Sequence, residues 1–432
     1  MQSNSTILKQ RVFLDVIDRI DAAGLLRRPL TEARAGVSAA LKDVLARNRQ
    51  AVSEVEFARL LDDICDDMLG FGPLERFLVR DDIADIMVNG FDNIFIEVNG
   101  RVQKTDVAFR DDEHLLNVCQ RIVSLVGRRV DESSPICDAR LKDGSRVNVV
   151  IPPLAIDGPV LTIRRFTKQR LTLDDMVGLG TLSQPMADLL KAVSRSRCNI
   201  LVSGGTGSGK TTLLNALTGW IDAEERVVTC EDTAELQLQQ PHVVRMETRP
   251  SNTEGLGEVT MFQLVRNCLR MRPDRIIVGE VRGPETLDLL QAMNTGHDGS
   301  MGTLHANSPD EALSRIEAMV MMGFGNLTSE VIHRLITASV NIVIQIERFR
   351  DGSRKVTSIS ETVGLRNGRT HLRDLMRFEF DAEDGDEDSV SGRHCTVFDE
   401  KPAIYERARK HGEHRRLMQA LADGRAGTGD PA

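Results

Sequence analysis

Apolar positions recur along the chain with two different periods, and the change between them marks its organisation. Val12, Phe13, Val16, Ile17 and Ile20 repeat at helical spacing. Phe57, Leu60, Leu61, Ile64 and Met68 follow the capping box Ser53-Glu54-Val55-Glu56 on one face. Residues 1–69 therefore read as an N-terminal helical extension, either a plain amphipathic bundle or a docking arm for a partner. Gly70-Phe71-Gly72-Pro73-Leu74 breaks that pattern, and short strands take over. Ile86-Met87-Val88 is one; Ile94–Val98 and Arg101–Gln103 flank the two-residue turn Asn99-Gly100. Leu115, Leu116, Val118, Cys119, Ile122, Val123 and Val126 form a helix behind the acidic start Asp111-Asp112-Glu113. Strands at 138–141, 146–150 and 160–166 complete a small N-terminal α+β domain, residues 70–168.

Residues 169–181, with Gly178 and Gly180, read as a linker or hinge. From 182 to 376 buried-looking strands alternate with amphipathic helices, the signature of an α/β layer fold. The expected strands are 199–203, 226–230, 275–279, 300–304 and 341–346, with 355–359 as an antiparallel edge. The expected helices are 184–194, 210–219, 261–271, 284–294, 309–321 and 328–339. From 377 to 432 the acidic block 381–388 suggests a solvated tail, within which 396–422 recover a strand and a helix.

Composition narrows the function classes. The 432 residues suffice for two or three domains, and no apolar run approaches the length of a membrane span. The first residues, Met1 to Thr6, lack the pattern of a secretory signal. Seven scattered cysteines without a C-x-x-C fit reduced thiols in the cytosol. A net charge of −9 argues against general nucleic-acid affinity, and one Trp and one Tyr leave little for base stacking. His411 and His414 have no carboxylate or cysteine partner that would make a metal site.

The chemistry centres on Gly204-Gly205-Thr206-Gly207-Ser208-Gly209-Lys210-Thr211, which fits G-x-x-x-x-G-K-[ST]. A buried strand precedes it, and a helix opens at Lys210-Thr211-Thr212. The glycines let successive N–H groups turn around an anion, and the helix N-terminus adds partial positive charge. Lys210 would reach the β- and γ-phosphates of a nucleotide such as ATP, and Thr211 would hold Mg²⁺ through its hydroxyl. Glu280 ends the apolar strand Arg275–Val278-Gly279 and is the candidate for the metal-bound or attacking water, with Gly279 where many such enzymes carry Asp. Glu231 and Glu235, in the acidic stretch after the 226–230 strand, are further candidates for the metal and water shell; helix capping by Asp232 or Thr233 is the alternative. His305, with His297 in the same Gly-rich margin, is a candidate γ-phosphate sensor. Arg140, Arg146, Arg164 and Arg165, among other arginines of the α+β domain, are either a solvated face or cations that neutralise a transferring phosphoryl group.

These segments, in this order, resemble the type II/type IV secretion and type IV pilus ATPase superfamily: phosphate loop, acidic box, Gly-Glu strand end and His box. Gly70–Glu75, Ile86–Gly90, Glu97–Gly100, Asp138–Asn148 and Asn267–Asp274 resemble the CpaF-type ATPases of Tad pilus assembly. The likeness spans about residues 60–375. It implies a RecA-like P-loop motor domain, a homohexameric ring and ATP with Mg²⁺ at each site. It also implies inner-membrane platform proteins as partners, peripheral membrane association through them, and hydrolysis that changes the angle between domains. Arg140, Arg146, Arg164 or Arg165 would then approach the phosphates from the neighbouring domain or subunit. The rivals are a type IV secretion ATPase exporting protein or DNA and, from another class, a DNA-translocating motor.

Overall fold

The computed structural model describes residues 12–13, 15–16, 29–98, 100–166, 170–251, 256–381 and 390–426. The chain divides into two units, Met1–Thr167 and Lys168–Ala432.

The first unit has two cores. Helices α1 (Leu30–Arg47) and α2 (Glu54–Leu69) bury Val37, Leu41, Val44, Leu61 and Ile64 with Val12, Phe13 and Val16. Ile17 and Ile20 lie outside the described residues. The capping box at α2 forms: Ser53 Oγ accepts the Glu56 N–H at 3.2 Å, and the Glu56 carboxylate accepts the Ser53 N–H at 3.4 Å. A 3-10 turn at Gly72–Leu74 and the short α3 (Glu75–Leu78) lead to the second core. There β1 (Ile83–Asn89), β2 (Ile94–Val98) and β3 (Arg101–Lys104) precede α4 (Asp112–Ser124). β4 (Ile136–Arg140), β5 (Arg146–Val150) and β6 (Val160–Arg164) follow it. The six strands form an antiparallel sheet in the order β3-β2-β1-β6-β5-β4. Val98 pairs with Arg101, leaving residues 99 and 100 as the connection; Gly100 has φ 79°, and Asn99 lies outside the described residues. Alternate strand residues (Ile86, Val88, Val147, Val149, Leu161, Ile163) meet the α4 stripe Leu115, Val118, Cys119 and Ile122.

The second unit opens with α5 (Leu173–Gly178) and α6 (Gln184–Arg195). It continues through β7 (Ile200–Gly204), α7 (Lys210–Thr218), β8 (Val227–Glu231), β9 (Val243–Glu247) and α8 (Met261–Cys268). Next come β10 (Arg275–Val278), α9 (Glu285–Asn294), β11 (Met301–His305), α10 (Pro309–Gly323) and α11 (Ser329–Ser339). β12 (Ile342–Arg348), β13 (Arg354–Arg366), β14 (Arg369–Phe380), β15 (Gly392–Thr396), α12 (Tyr405–Lys410) and α13 (His414–Ala426) close the chain. One nine-stranded sheet runs β15-β14-β13-β12-β7-β11-β10-β8-β9. It is parallel from β9 to β12 and antiparallel from β12 to β15. Ile200, Val202, Ile342 and Ile344 face a core with α5, α6, α7 and α13; Leu201, Ile276, Val278 and Val343 face another with α8 to α11. This is a RecA-like α/β layer with helices on both faces.

Two segments differ from the sequence reading. Residues 169–181 contain α5, whose capping box (Thr172 Oγ1 to the Asp175 N–H, 3.1 Å) and buried Leu173 and Met176 join it to the core. From 377 onward the chain is not a tail. β14 runs through that point, β15 pairs with it, and Leu417, Ala420 and Leu421 of α13 are buried against β14, β15 and α6. The acidic composition of 381–388 masks this helical stripe; residues 382–389 themselves lie outside the described residues. Among the described residues no helix is long and apolar enough to cross a membrane, and the seven cysteines are buried and free.

Candidate active site

Four parallel strands end on one edge of the second sheet, and each brings a residue singled out in the sequence. In register, Gly204 at the end of β7 lies beside His305 of β11, and Val278 of β10 lies beside Cys230 of β8. Gly279-Glu280 follow β10, and Glu231 is the last residue of β8. The carboxyl edge of a parallel sheet is where open α/β folds bind ligands.

The phosphate loop joins β7 to α7. Gly207 and Gly209 have φ 68° and 97°, the left-handed region that glycine tolerates. A Cβ on Gly204 would lie 2.2 Å from the Ile346 carbonyl oxygen and 2.6 Å from Ser208 Oγ, so no side chain fits there. Gly205 and Thr206 form the turn between them. The N-cap of α7 is Gly209, which has no side chain to cap the first N–H groups. Lys210, 8 % exposed, donates to the Gly204 and Gly205 carbonyls at 3.0 and 2.7 Å, so its ammonium sits inside the loop's arc. Thr211 and Thr212 are half-buried on the first turn of α7. Uncapped N–H groups, a helix N-terminus and an enclosed ammonium fit the polyphosphate of a nucleotide.

Beside the loop stands a chain of polar contacts. Thr206 Oγ1 lies 3.4 Å from His305 Nε2, and His305 Nε2 lies 3.9 Å from Glu280 Oε1. Arg282 donates to Glu280 Oε2 at 2.5 Å and stands 3.5 Å from Asp232. Burial by itself would raise the Glu280 carboxyl pKa; the Arg282 hydrogen bond and charge, helped by Lys210, outweigh it and hold the group below the usual glutamate range. Burial and the nearby Lys210 lower His305, so its imidazole is neutral near pH 7. The site thus presents an ionised carboxylate, a neutral imidazole and an ammonium along one edge. Arg282 is absent from the sequence-derived candidates; its signal is an arginine two residues beyond the strand-end glutamate. His297 is not part of the site: it lies before the opposite end of β11 and contacts the Ala292 carbonyl.

Glu231 requires a correction. The sequence places it in the metal shell, but its carboxylate is 2 % exposed and bound to its own loop. Oε2 accepts the N–H groups of Glu235 and Leu236 at 2.7 Å each, and Oε1 accepts from Thr229 Oγ1 at 3.2 Å. Burial outweighs these bonds and raises its pKa to about 7. Glu231 therefore shapes the acidic loop. It also accounts for Gly279: a Cβ there would stand 3.2 Å from Glu231 Cγ, so the glutamate fills the space an Asp at 279 would need. Glu235 is half-buried and meets Glu231 through its backbone N–H; its charge reinforces the protonated state of Arg282.

The arginines of the first unit fall into two groups. Arg140 of β4 pairs with Arg146 of β5, Arg146 with Arg164 of β6, and Arg164 with Asp85 of β1. Directly opposed residues share a face, so three arginines form one row ended by an aspartate; Arg164 reaches Asp85 at 4.0 Å. Arg165 points the other way and donates to the Leu78 and Ile83 carbonyls at 2.9 and 3.4 Å. It ties α3 to β1 and stands apart from the row.

Comparison with known proteins identifies the family. The family described as Type II/IV secretion system protein matches residues 67–418. The match extends well past residue 375, into α13. A putative conjugal transfer protein of Mycobacterium tuberculosis is 38% identical over 300 residues, covering 68% of this chain and 85% of its own. The conjugal transfer protein TrbB of Rhizobium radiobacter is 34% identical over 304 residues, covering 69% and 90%. Among solved structures, the VirB11 ATPase of the Brucella suis type IV secretion system shares 29% identity over 67% of this chain and 95% of its own, with a TM-score of 0.37. The chain belongs to the type II/IV secretion system protein family, and within it is a P-loop ATPase.

Proposed function

We propose that this ATPase is a homohexameric motor powering assembly of a Tad-type pilus at the inner membrane. The observation that carries the hydrolytic part is Glu280: a carboxylate kept ionised by Arg282, on the strand edge that carries Lys210, with His305 between it and Thr206. In this reading the N–H groups of 204–212 and the Lys210 ammonium bind the phosphates of ATP. Glu280 orients and deprotonates the attacking water, and His305 reads the γ-phosphate position through Thr206 and Glu280. Thr211 would hold Mg²⁺ through its hydroxyl, with Glu280 on a metal-bound water as the alternative to its role as base; the ion would supply positive charge to the phosphates. Among the described residues no three His, Cys, Asp or Glu side chains converge to hold a metal ion. Arg140, Arg146 and Arg164 supply further cations, in cis or from a neighbouring subunit.

The pilus assignment rests on the likeness of 70–75 and 138–148 to CpaF-type sequences. The relatives named for conjugal transfer favour the second reading, a type IV secretion ATPase exporting protein or DNA. In a deletion strain complemented with wild type or Lys210→Ala, loss of surface pili with intact export supports the first reading. Lost conjugation or effector export with intact pili supports the second. Particle images of the purified protein with a nonhydrolysable ATP analogue test the ring; a stable monomer with and without nucleotide contradicts it.

A further inference from the structure

The β12–β13 hairpin reaches the outer side of the phosphate loop. Arg348 and Arg354 stand directly opposite each other in its antiparallel ladder. Like charges so placed weaken a hairpin, yet both guanidinium groups lie against the same glycine. Arg354 Nε donates to the Gly207 carbonyl at 3.0 Å, and Arg348 Nη1 lies 3.3 Å from where a Cβ of Gly207 would stand. Arg354 Cδ is also 3.4 Å from the equivalent point on Gly209. Lys210 takes the Gly204 and Gly205 carbonyls from within the arc, and Arg354 takes the Gly207 carbonyl from the hairpin. A loop built on glycines at positive φ has little conformational preference of its own, so an external tie limits the states it visits. The hairpin is itself fixed. Phe349 packs against Phe378 and Phe380, with ring centroids 6.4 and 5.7 Å apart. Lys355 donates to the Gly180 carbonyl at 2.9 Å, and the Val356 N–H donates to Thr181 at 2.8 Å.

We propose that Arg354 is a positioning residue of the phosphate loop. It holds Gly207 so that the N–H groups of 207–210 stay turned on the phosphates of a nucleoside di- or triphosphate, with Arg348 beside it as a second cation from the same unit. The inference rests on reading Gly204–Thr211 as the nucleotide site. The test uses the full chain and its Arg354→Ala, Arg354→Gln and Arg354→Lys variants, with Arg350→Ala on the same hairpin as control. Melting is followed with and without Mg²⁺-ADP, and steady-state ATP hydrolysis is measured. The Ala and Gln variants are expected to melt like wild type without nucleotide but to lose most of the nucleotide-induced rise. Their KM for ATP should increase about tenfold with kcat within about threefold, as loss of one charge-assisted bond implies. Arg354→Lys should recover much of the KM, and Arg350→Ala should match wild type. An unchanged KM in both the Ala and Gln variants, or lower melting without nucleotide and no change in KM, overturns the proposal. A wild-type protein that gains no stability from nucleotide defeats the nucleotide-site reading itself, and this inference with it.

Discussion

Arg282 Nη2 lies 2.5 Å from Glu280 Oε2, and this contact lowers the pKa of the candidate catalytic carboxylate. Burial pushes Glu280 toward the protonated form, and Arg282 is the largest influence in the other direction. Arg282→Ala should therefore raise the Glu280 pKa and move the acidic limb of the pH–rate profile for ATP hydrolysis to higher pH. The loss of activity should be larger at pH 6 than at pH 8. An acidic limb that stays where it is in the variant means that Arg282 does not set the charge of Glu280.

Glu231 makes a pH prediction of opposite sign to that of a paired carboxylate. Its pKa rises from 4.5 to about 7 on folding, so the native state binds the proton more tightly than the unfolded chain. This contribution to stability is complete below about pH 4.5 and disappears as pH rises through about 7, by at most about 3 kcal/mol. Glu231→Gln keeps an oxygen for the Glu235 and Leu236 N–H groups and has no proton to lose. The melting temperature of the variant minus that of wild type should become more positive between pH 5 and pH 8. A difference that is flat over this range removes the argument.

The arginine row gives a functional contrast. Arg140→Ala, Arg146→Ala and Arg164→Ala should each fold normally, because the three side chains project from strand ends and none is fully buried. If the row completes the site, at least one substitution lowers kcat by about 10³-fold or more. Arg165→Ala should instead cost about 1–3 kcal/mol of stability, since two backbone carbonyls lose their donor. Wild-type turnover in all three row variants rejects a catalytic role for the row.

Much of this architecture was legible from periodicity. The strands ending at Gly204, Glu231, Val278 and His305 are short apolar runs bounded by glycine or acidic residues, and the structure places them within one residue of the sequence-derived bounds. Local signals gave the Ser53 cap and the tight connection from β2 to β3, because each is complete within a few residues. What the local pattern did not give is set by how the chain folds back on itself, near or far. Glu231 looks like a metal ligand until the N–H groups of Glu235 and Leu236 fold back onto it. The strand and helix read within 396–422 have counterparts in β15, α12 and α13, but the packing of Leu417, Ala420 and Leu421 against β14, β15 and α6 is not written in the local composition. Arg165 differs from Arg164 only in the parity of its strand position, and its partners at Leu78 and Ile83 are some 80 residues away. Arg348 and Arg354 lie between the 341–346 and 355–359 strands of the sequence reading, and only the fold brings them to Gly207.

The central claim is that the loop around Lys210 binds ATP and that Glu280 drives its hydrolysis. The most direct measurement compares nucleotide affinity and steady-state turnover in wild type, Lys210→Ala and Glu280→Gln. Lys210→Ala should lose most of its affinity for ATP. Glu280→Gln should bind ATP within about threefold of wild type while kcat falls by about 10²–10⁴-fold, the range for removing a general base. Undiminished turnover in Glu280→Gln would contradict the account.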